Sequence, residues 1–148
     1  MQATHMPATA ALVGAAFFLA RFREPGAGRA AGYAAGACPL LGDPSGHWNA
    51  WFERYGGSLP ERFVVGFDNS EALHHAAVQG LGVALGRCLM AQPVVDAGRL
   101  VTLSRHRLKA GFGYSLVFLE RSLEHAGFLD FRSWLYAQIS KPEPQLAA

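Results

Sequence analysis

Asp68-Asn69-Ser70-Glu71 is the stretch whose residue types and position most plainly offer chemistry. It directly follows residues 63–67, FVVGF, a β-branched and aromatic run that reads as a buried strand. Asp68 suits an N-cap, and Glu71 three positions later completes a capping box, so a helix is expected over residues 71–79, stopped by Gly80. In open α/β sheets, ligands bind at the carboxyl ends of strands and near helix N-termini. Phe67, Asp68, Asn69 and Ser70 occupy such a place. Free N–H groups at the start of the helix favour an anion, as a carboxylated metabolite would be. The plainer alternative is that Asp68 and Asn69 are only caps.

Other chemically suggestive residues fail on spacing. His74 and His75 are adjacent, and neighbouring helix positions diverge by about 100°, so the two cannot chelate one ion together. Glu71 with His75 supplies two ligands, which do not make a metal site. Cys38 and Cys88 stand fifty positions apart, outside any C-x-x-C pair, and read as small buried hydrophobes. G-x-S-x-G, a P-loop and G-x-G-x-x-G are all absent, and Gly80-Leu81-Gly82 precedes a strand instead of following one. Neither an enzyme nor a cofactor is expected. A helix-turn-helix across residues 76–87 would need Gly86 inside its recognition helix and lacks residues that read bases. The basic residues 105–109 read as a solvated loop.

The elements that must position the 67–70 turn alternate along the chain. Residues 39–44 read as a short extended piece ended by a turn. Trp48, Trp51, Phe52 and Tyr55 follow at i, i+3, i+4 and i+7, one face of a helix closed by Gly56-Gly57. After the 63–67 strand and the 71–79 helix come a strand at 82–86, a short helix around 90–96 and a strand at 100–103. A loop then leads to a strand at 114–119. A last helix, about 128–139, offers Leu129, Trp134, Leu135 and Ile139 for burial, and Pro142 and Pro144 end it. Strand and helix alternating through short connections predict an α/β fold with a parallel or mixed sheet.

Composition agrees with one ordinary domain. The chain has 148 residues, 51% hydrophobic and 16% charged, with a formal net charge of +2. That favours a substantial core and argues against global disorder. The charge is too small to imply nucleic acid or an anionic membrane as a partner. The apolar run at residues 8–20 is short for a membrane span, and its arginines follow it instead of preceding it as in a secretory signal. Residues 24–37 are Ala/Gly-rich and read as a linker. Residues 1–37 are therefore left unassigned and a cytoplasmic protein is expected.

Residues 67–87 (FDNSEALHHAAVQGLGVALGR), a short helix and then DAGRLV resemble the C-terminal effector-binding domain of LysR-type transcriptional regulators, nearest the glycine-cleavage-activator-like branch. PLLGD with the W-x-x-W helix before this string, and the aromatic strand and tryptophan-bearing helix after it, occur there in the same order. The resemblance spans about residues 38–140. It implies a fold like a type 2 periplasmic binding protein, two α/β subdomains with a small ligand in the cleft between them. Residues 38–148 would be a partial effector domain: the second subdomain, about 57–110, plus the return strand and last helix of the first. The 67–70 turn would face the cleft, and Arg87 would lie near its mouth, able to pair with a carboxylate. A small effector and dimerisation through this domain are further implications. The winged helix-turn-helix would precede residue 38, where 37 residues without resemblance stand, so DNA contact is expected only through a domain missing here. Alternatives are a truncated remnant or stand-alone interaction protein that pairs with full-length regulators and, as a third reading, a solute-binding protein of the same fold.

Overall fold

A computed structural model of the chain describes residues 2–15 and 38–139. The expected linker at 24–37 and the proline stop at 142–144 lie outside the described residues. The chain forms two compact units, Ala8–Gly111 and Met1–Pro7 with Phe112–Ala148.

The larger unit is built around the short extended segment at 39–42. It pairs in parallel on both sides, Leu40 opposite Val83 and Gly42 opposite Gly66. Leu41 N donates to Val83 O at 2.9 Å and Val83 N to Pro39 O at 2.8 Å on one edge; Gly42 N donates to Val65 O and Phe67 N to Gly42 O, both at 2.9 Å, on the other. Val83 runs on into β2 (Ala84–Arg87), which pairs antiparallel with β1 (Gln2–Gly14), Val13 opposite Ala84 and Ala10 opposite Arg87. β3 (Val101–Thr102) lies antiparallel on the other side of β1, and β4 (Leu108–Phe118) also pairs with β1. The sheet is mixed, within the α/β class expected.

Successive side chains of a strand face opposite ways, and here each face meets helices. Leu40, Val83 and Leu85 bury against Trp48, Trp51 and Phe52 of α1 (His47–Tyr55). Leu41, Ala84 and Val13 bury against Leu73, Ala76 and Ala77 of α2 (Ser70–Val78) and Ala91 of α3 (Cys88–Asp96). Trp48 Nε1 donates to Leu41 O at 2.8 Å, so the indole is satisfied inside the core. Close backbone approach needs glycine at two places. A Cβ on Gly82 would stand 2.7 Å from Pro39 O, and one on Gly86 2.8 Å from both His74 Nε2 and Val13 Cγ2. α1 ends at Gly56 and Gly57, with φ of 83° and 106°, as the Gly-Gly pair predicts. Cys38 and Cys88 are buried free thiols.

Several expectations need correction. No element was assigned before residue 38, yet β1 sits within the sheet with Ala8, Ala10, Ala11 and Val13 buried. The segment at 63–67 is not a buried strand: Val64 is 52% and Val65 41% exposed. Among the described residues it makes its ladder bonds to residues 40–42 alone, so there it is a sheet edge. β4 begins at Leu108, six residues before the expected strand, and absorbs part of the basic loop.

In the smaller unit a 3₁₀ turn (Glu120–Glu124) leads to α4 (Ala126–Ile139). Phe118 packs on Phe128 with ring centroids 5.0 Å apart. The expected burial of the last helix is not observed: none of α4 is buried, and Trp134 is 57% exposed. No helix among the described residues is long and apolar enough to cross a membrane.

If β1 belongs to the fold, Val13→Asp must place a carboxylate in the α2-side core, where Val13 is 2% exposed. The expected cost is roughly 3 kcal/mol or more, read as a lower urea midpoint. An unchanged midpoint would show that residues 2–14 do not hold the sheet together.

Candidate functional site

The segment at 39–42, the segment at 63–67 and Val83 with β2 run parallel, so their carboxyl ends emerge on one side. Each end delivers a different chemistry to the same hollow, which is lined by Asp43, Ser45 and His47, by Phe67, Asp68, Asn69 and Ser70, and by Leu85 and Arg87. All five residues singled out from sequence, Phe67, Asp68, Asn69, Ser70 and Arg87, are brought together here. The hollow has about 60 Å³ of room, against roughly 300–1,000 Å³ for a pocket that encloses a whole small molecule.

The 67–70 turn differs from expectation in its cap. Asn69, not Asp68, is the N-cap of α2: its backbone is extended at φ −122°, ψ 125°. Asn69 Oδ1 accepts from Glu71 N at 2.8 Å and Ala72 N at 3.2 Å. Phe67 N is still engaged in the sheet ladder with Gly42 O, so Asp68 is spent on the passage from strand to helix and the cap falls one residue later. Two consequences follow. Glu71 stands at N2 and completes no capping box. Two of the helix-terminal N–H groups expected to meet an anion are taken by Asn69, while Ser70, Arg87 and His47 bring further polar side chains to the lining. Asp68, relieved of capping, is an exposed carboxylate at its rim.

Asp43, Ser45 and His47 form the opposite contribution, and the sequence reading missed them. Asp43 Oδ1 accepts from Ser45 N at 2.8 Å and from Ser45 Oγ, which also bonds His47 Nδ1. His47 Nδ1 stands 3.5 Å from Asp43 Oδ1. The rule that pointed to residues 67–70 applies equally to the turn that ends the 39–42 segment, and would have found these residues.

Beneath Arg87 lies His74, 4% exposed, its Nε2 without a hydrogen-bond partner among the described residues. Gly86 makes room for the ring. Burial, and then the charge of Arg87, hold the imidazole below its ordinary value of 6.5. His75, one position on, is exposed. No group of three or more His, Cys, Asp or Glu side chains among the described residues could hold a metal ion. A larger hollow of about 400 Å³, lined by residues of α2 and α3 with Arg99, takes nothing from the strand ends.

A mixed sheet covered by helices on both faces, with a polar hollow at the carboxyl edge, defines an α/β domain whose strand ends open on a candidate ligand site. The chain belongs to the LysR substrate binding domain family, whose model matches residues 37–140. That family is regulatory. The chain is 31% identical over 99 residues to the HTH-type transcriptional regulator PerR of Escherichia coli (strain K12), a match covering 63% of this chain and 32% of that one. The chain thus spans about a third of the length of the curated relatives it matches. Among solved structures, the effector domain of the transcriptional regulator AmpR of Pseudomonas aeruginosa superposes with a TM-score of 0.65 at 25% identity, over 93% of this chain and 63% of that one. The AmpR effector binding domain from Citrobacter freundii gives a TM-score of 0.70 at 20% identity, over 95% and 68%.

The state of His74 makes stability depend on pH. The fold holds this base neutral, so the unfolded chain takes up its proton first. Stability falls as pH drops below about 6.5 and stops falling once the lowered folded value is passed. His74→Leu is expected to remove this part of the slope, at most about 1.4 kcal/mol per pH unit. Urea denaturation of both proteins between pH 5 and 8 reads the difference, and parallel profiles would refute the assignment.

Proposed function

We propose that this chain senses a small metabolite on behalf of a LysR-type regulator, and that the hollow at the carboxyl edge receives the metabolite's carboxylate. The observation that carries this reading is the convergence of Phe67, Asp68, Asn69, Ser70 and Arg87 on one hollow, in a chain of the LysR substrate binding domain family. Arg87 offers a charged fork suited to a carboxylate, and the Ser70 hydroxyl and the positive end of α2 reinforce it. The effector acts by binding one of two arrangements of the domain better than the other, and the bias reaches DNA through a helix-turn-helix domain. No bond in the ligand is made or broken.

Self-association is part of the same reading. The 63–67 edge carries exposed Val64 and Val65, and Leu81 is 43% exposed. A sheet edge with apolar side chains is a natural pairing surface. Val65→Lys is expected to shift the chain toward monomer in light scattering, and an unchanged mass would remove this edge from the interface.

Arg87→Gln is the direct test of the binding reading. A screen of small carboxylates by isothermal titration should yield a ligand whose affinity falls about tenfold or more in the variant, the worth of one charged hydrogen bond. A ligand that binds both proteins equally is bound elsewhere.

A further inference from the structure

We infer that the hollow between α2 and α3 is a second ligand site, and that it takes an organic anion with an apolar body, such as an arylalkyl carboxylate. Its room of about 400 Å³ lies within the roughly 300–1,000 Å³ of pockets that enclose a small molecule. It shares none of its described lining residues with the strand-end hollow, so it stands independently of the binding reading above. α2 begins after Phe67 and α3 after Arg87, both at the carboxyl edge, so the two helices run away from that edge side by side. Their flanks line the hollow, and the chemistry changes along it. Glu71 stands at the end near the carboxyl edge, and Arg99, beyond the last turn of α3, at the other. Between them Val78 and Val94, half-buried, and Met90, 40% exposed, make an apolar wall with the buried His74. A thioether beside two branched side chains suits an aromatic or branched hydrocarbon body.

The charges decide the sign of the head group. The Arg99 guanidinium makes no hydrogen bond or ion pair among the described residues. The carbonyls at the end of α3 do not occupy it, because the backbone satisfies them: Ala97 N donates to Pro93 O at 3.1 Å, Gly98 N to Val95 O at 2.9 Å and Arg99 N to Val94 O at 3.0 Å. Asp96, close to Arg99 in sequence, does not line the hollow and accepts from Gln92 Nε2 at 2.7 Å. Glu71 is the one acid among the lining residues. It stands seven helical positions from Val78, roughly 10 Å along the axis, beyond the Debye length of about 8 Å at physiological ionic strength. It therefore leaves an anion at the Arg99 end largely unopposed. His74 is held neutral by its burial, and His75 brings no negative charge. Arg99 forks toward a carboxylate, and the apolar wall takes the rest of the molecule.

The test titrates the full chain, labelled with ¹⁵N, with phenylacetate and three matched probes. Phenylacetamide lacks the charge, phenethylamine reverses it, and acetate lacks the apolar body. Phenylacetate is expected to shift the amides of Val78, Val94 and Arg99, and to bind at least about tenfold more tightly than phenylacetamide, the worth of one charged hydrogen bond. Arg99→Gln, at an exposed position, should abolish that preference, whereas Met90→Gln should weaken both probes together. Arg87→Gln should leave the response of these amides unchanged, which separates this site from the strand-end hollow. Phenylacetamide equal to phenylacetate overturns the anionic head group, and acetate equal to it overturns the apolar body. Phenethylamine equal to or tighter than phenylacetate makes Glu71 the selecting charge and overturns the inference. No response between α2 and α3 to any probe overturns the site and leaves the strand-end reading standing. A Met90→Gln protein that binds no probe but has a lower mass in light scattering than the parent chain makes the hollow an interface between copies, which also overturns it.

Discussion

The pairing of residues 39–42 on both edges at once is the constraint on which the rest depends. Four residues donate to and accept from Val83 on one side and residues 64–67 on the other, all in parallel. Parallel pairing is what makes three separate chain segments end on the same side, and the hollow exists because they do. Were the 63–67 segment antiparallel, Asp68 and Ser70 would emerge at the far end from Asp43 and Arg87. The same segment also separates the two apolar faces, since Leu40 points toward α1 and Leu41 toward α2 and α3.

Close backbone packing links this frame to the site. Gly82 brings β2 near enough to Pro39 for the Val83 N to Pro39 O bond, and Gly86 lets α2 settle with His74 against β2. The cost is a buried imidazole whose Nε2 has no hydrogen-bond partner among the described residues. A larger side chain at 86 would push α2, and with it Ser70 and the cap at Asn69, away from the strand that carries Arg87. Apolar packing therefore determines the distance between donors contributed by two different elements.

Much of this was legible in the sequence where one physical pattern dominated. Trp48, Trp51, Phe52 and Tyr55 at helical spacing gave α1 and its buried face, with Tyr55 only partly buried and stacked on His106. The carboxyl-end rule pointed to Phe67 to Ser70 and the ordered resemblance to Arg87, and the structure places these residues around one hollow. What stayed hidden was whatever depended on partners distant in sequence. The buried residues of β1 are mostly alanines, Ala8, Ala10 and Ala11, which have little strand propensity, and the segment is a strand because β2, β3 and β4 pair with it. Lys109, Gly111 and Gly113 masked the start of β4 for the same reason. FVVGF looked buried because its side chains are apolar, whereas exposure depends on whether a neighbour stands on the other side. Asp68 and Asn69 are equally good caps, and only the ladder bond at Phe67 decides between them.

The core and the lining of the hollow occupy different residues in this unit. The core draws on Leu41, Trp51, Val83 and Leu100, all within 1% of complete burial. The hollow draws on Asp68 and Asn69, which are exposed, and on Ser70 and Arg87, which are half-buried. Exposed residues at the ends of strands are replaced at little cost to folding, so the chemistry lining such a hollow can change while the parallel frame stays as it is. Asn69 is the partial exception, because its side chain serves the helix as well as lining the site. His74 is the other point of contact between the two sets of residues. It belongs to the core by burial and meets the lining of the hollow through its electrostatic link with Arg87, so the protonation of a core residue is coupled to a charge at the hollow.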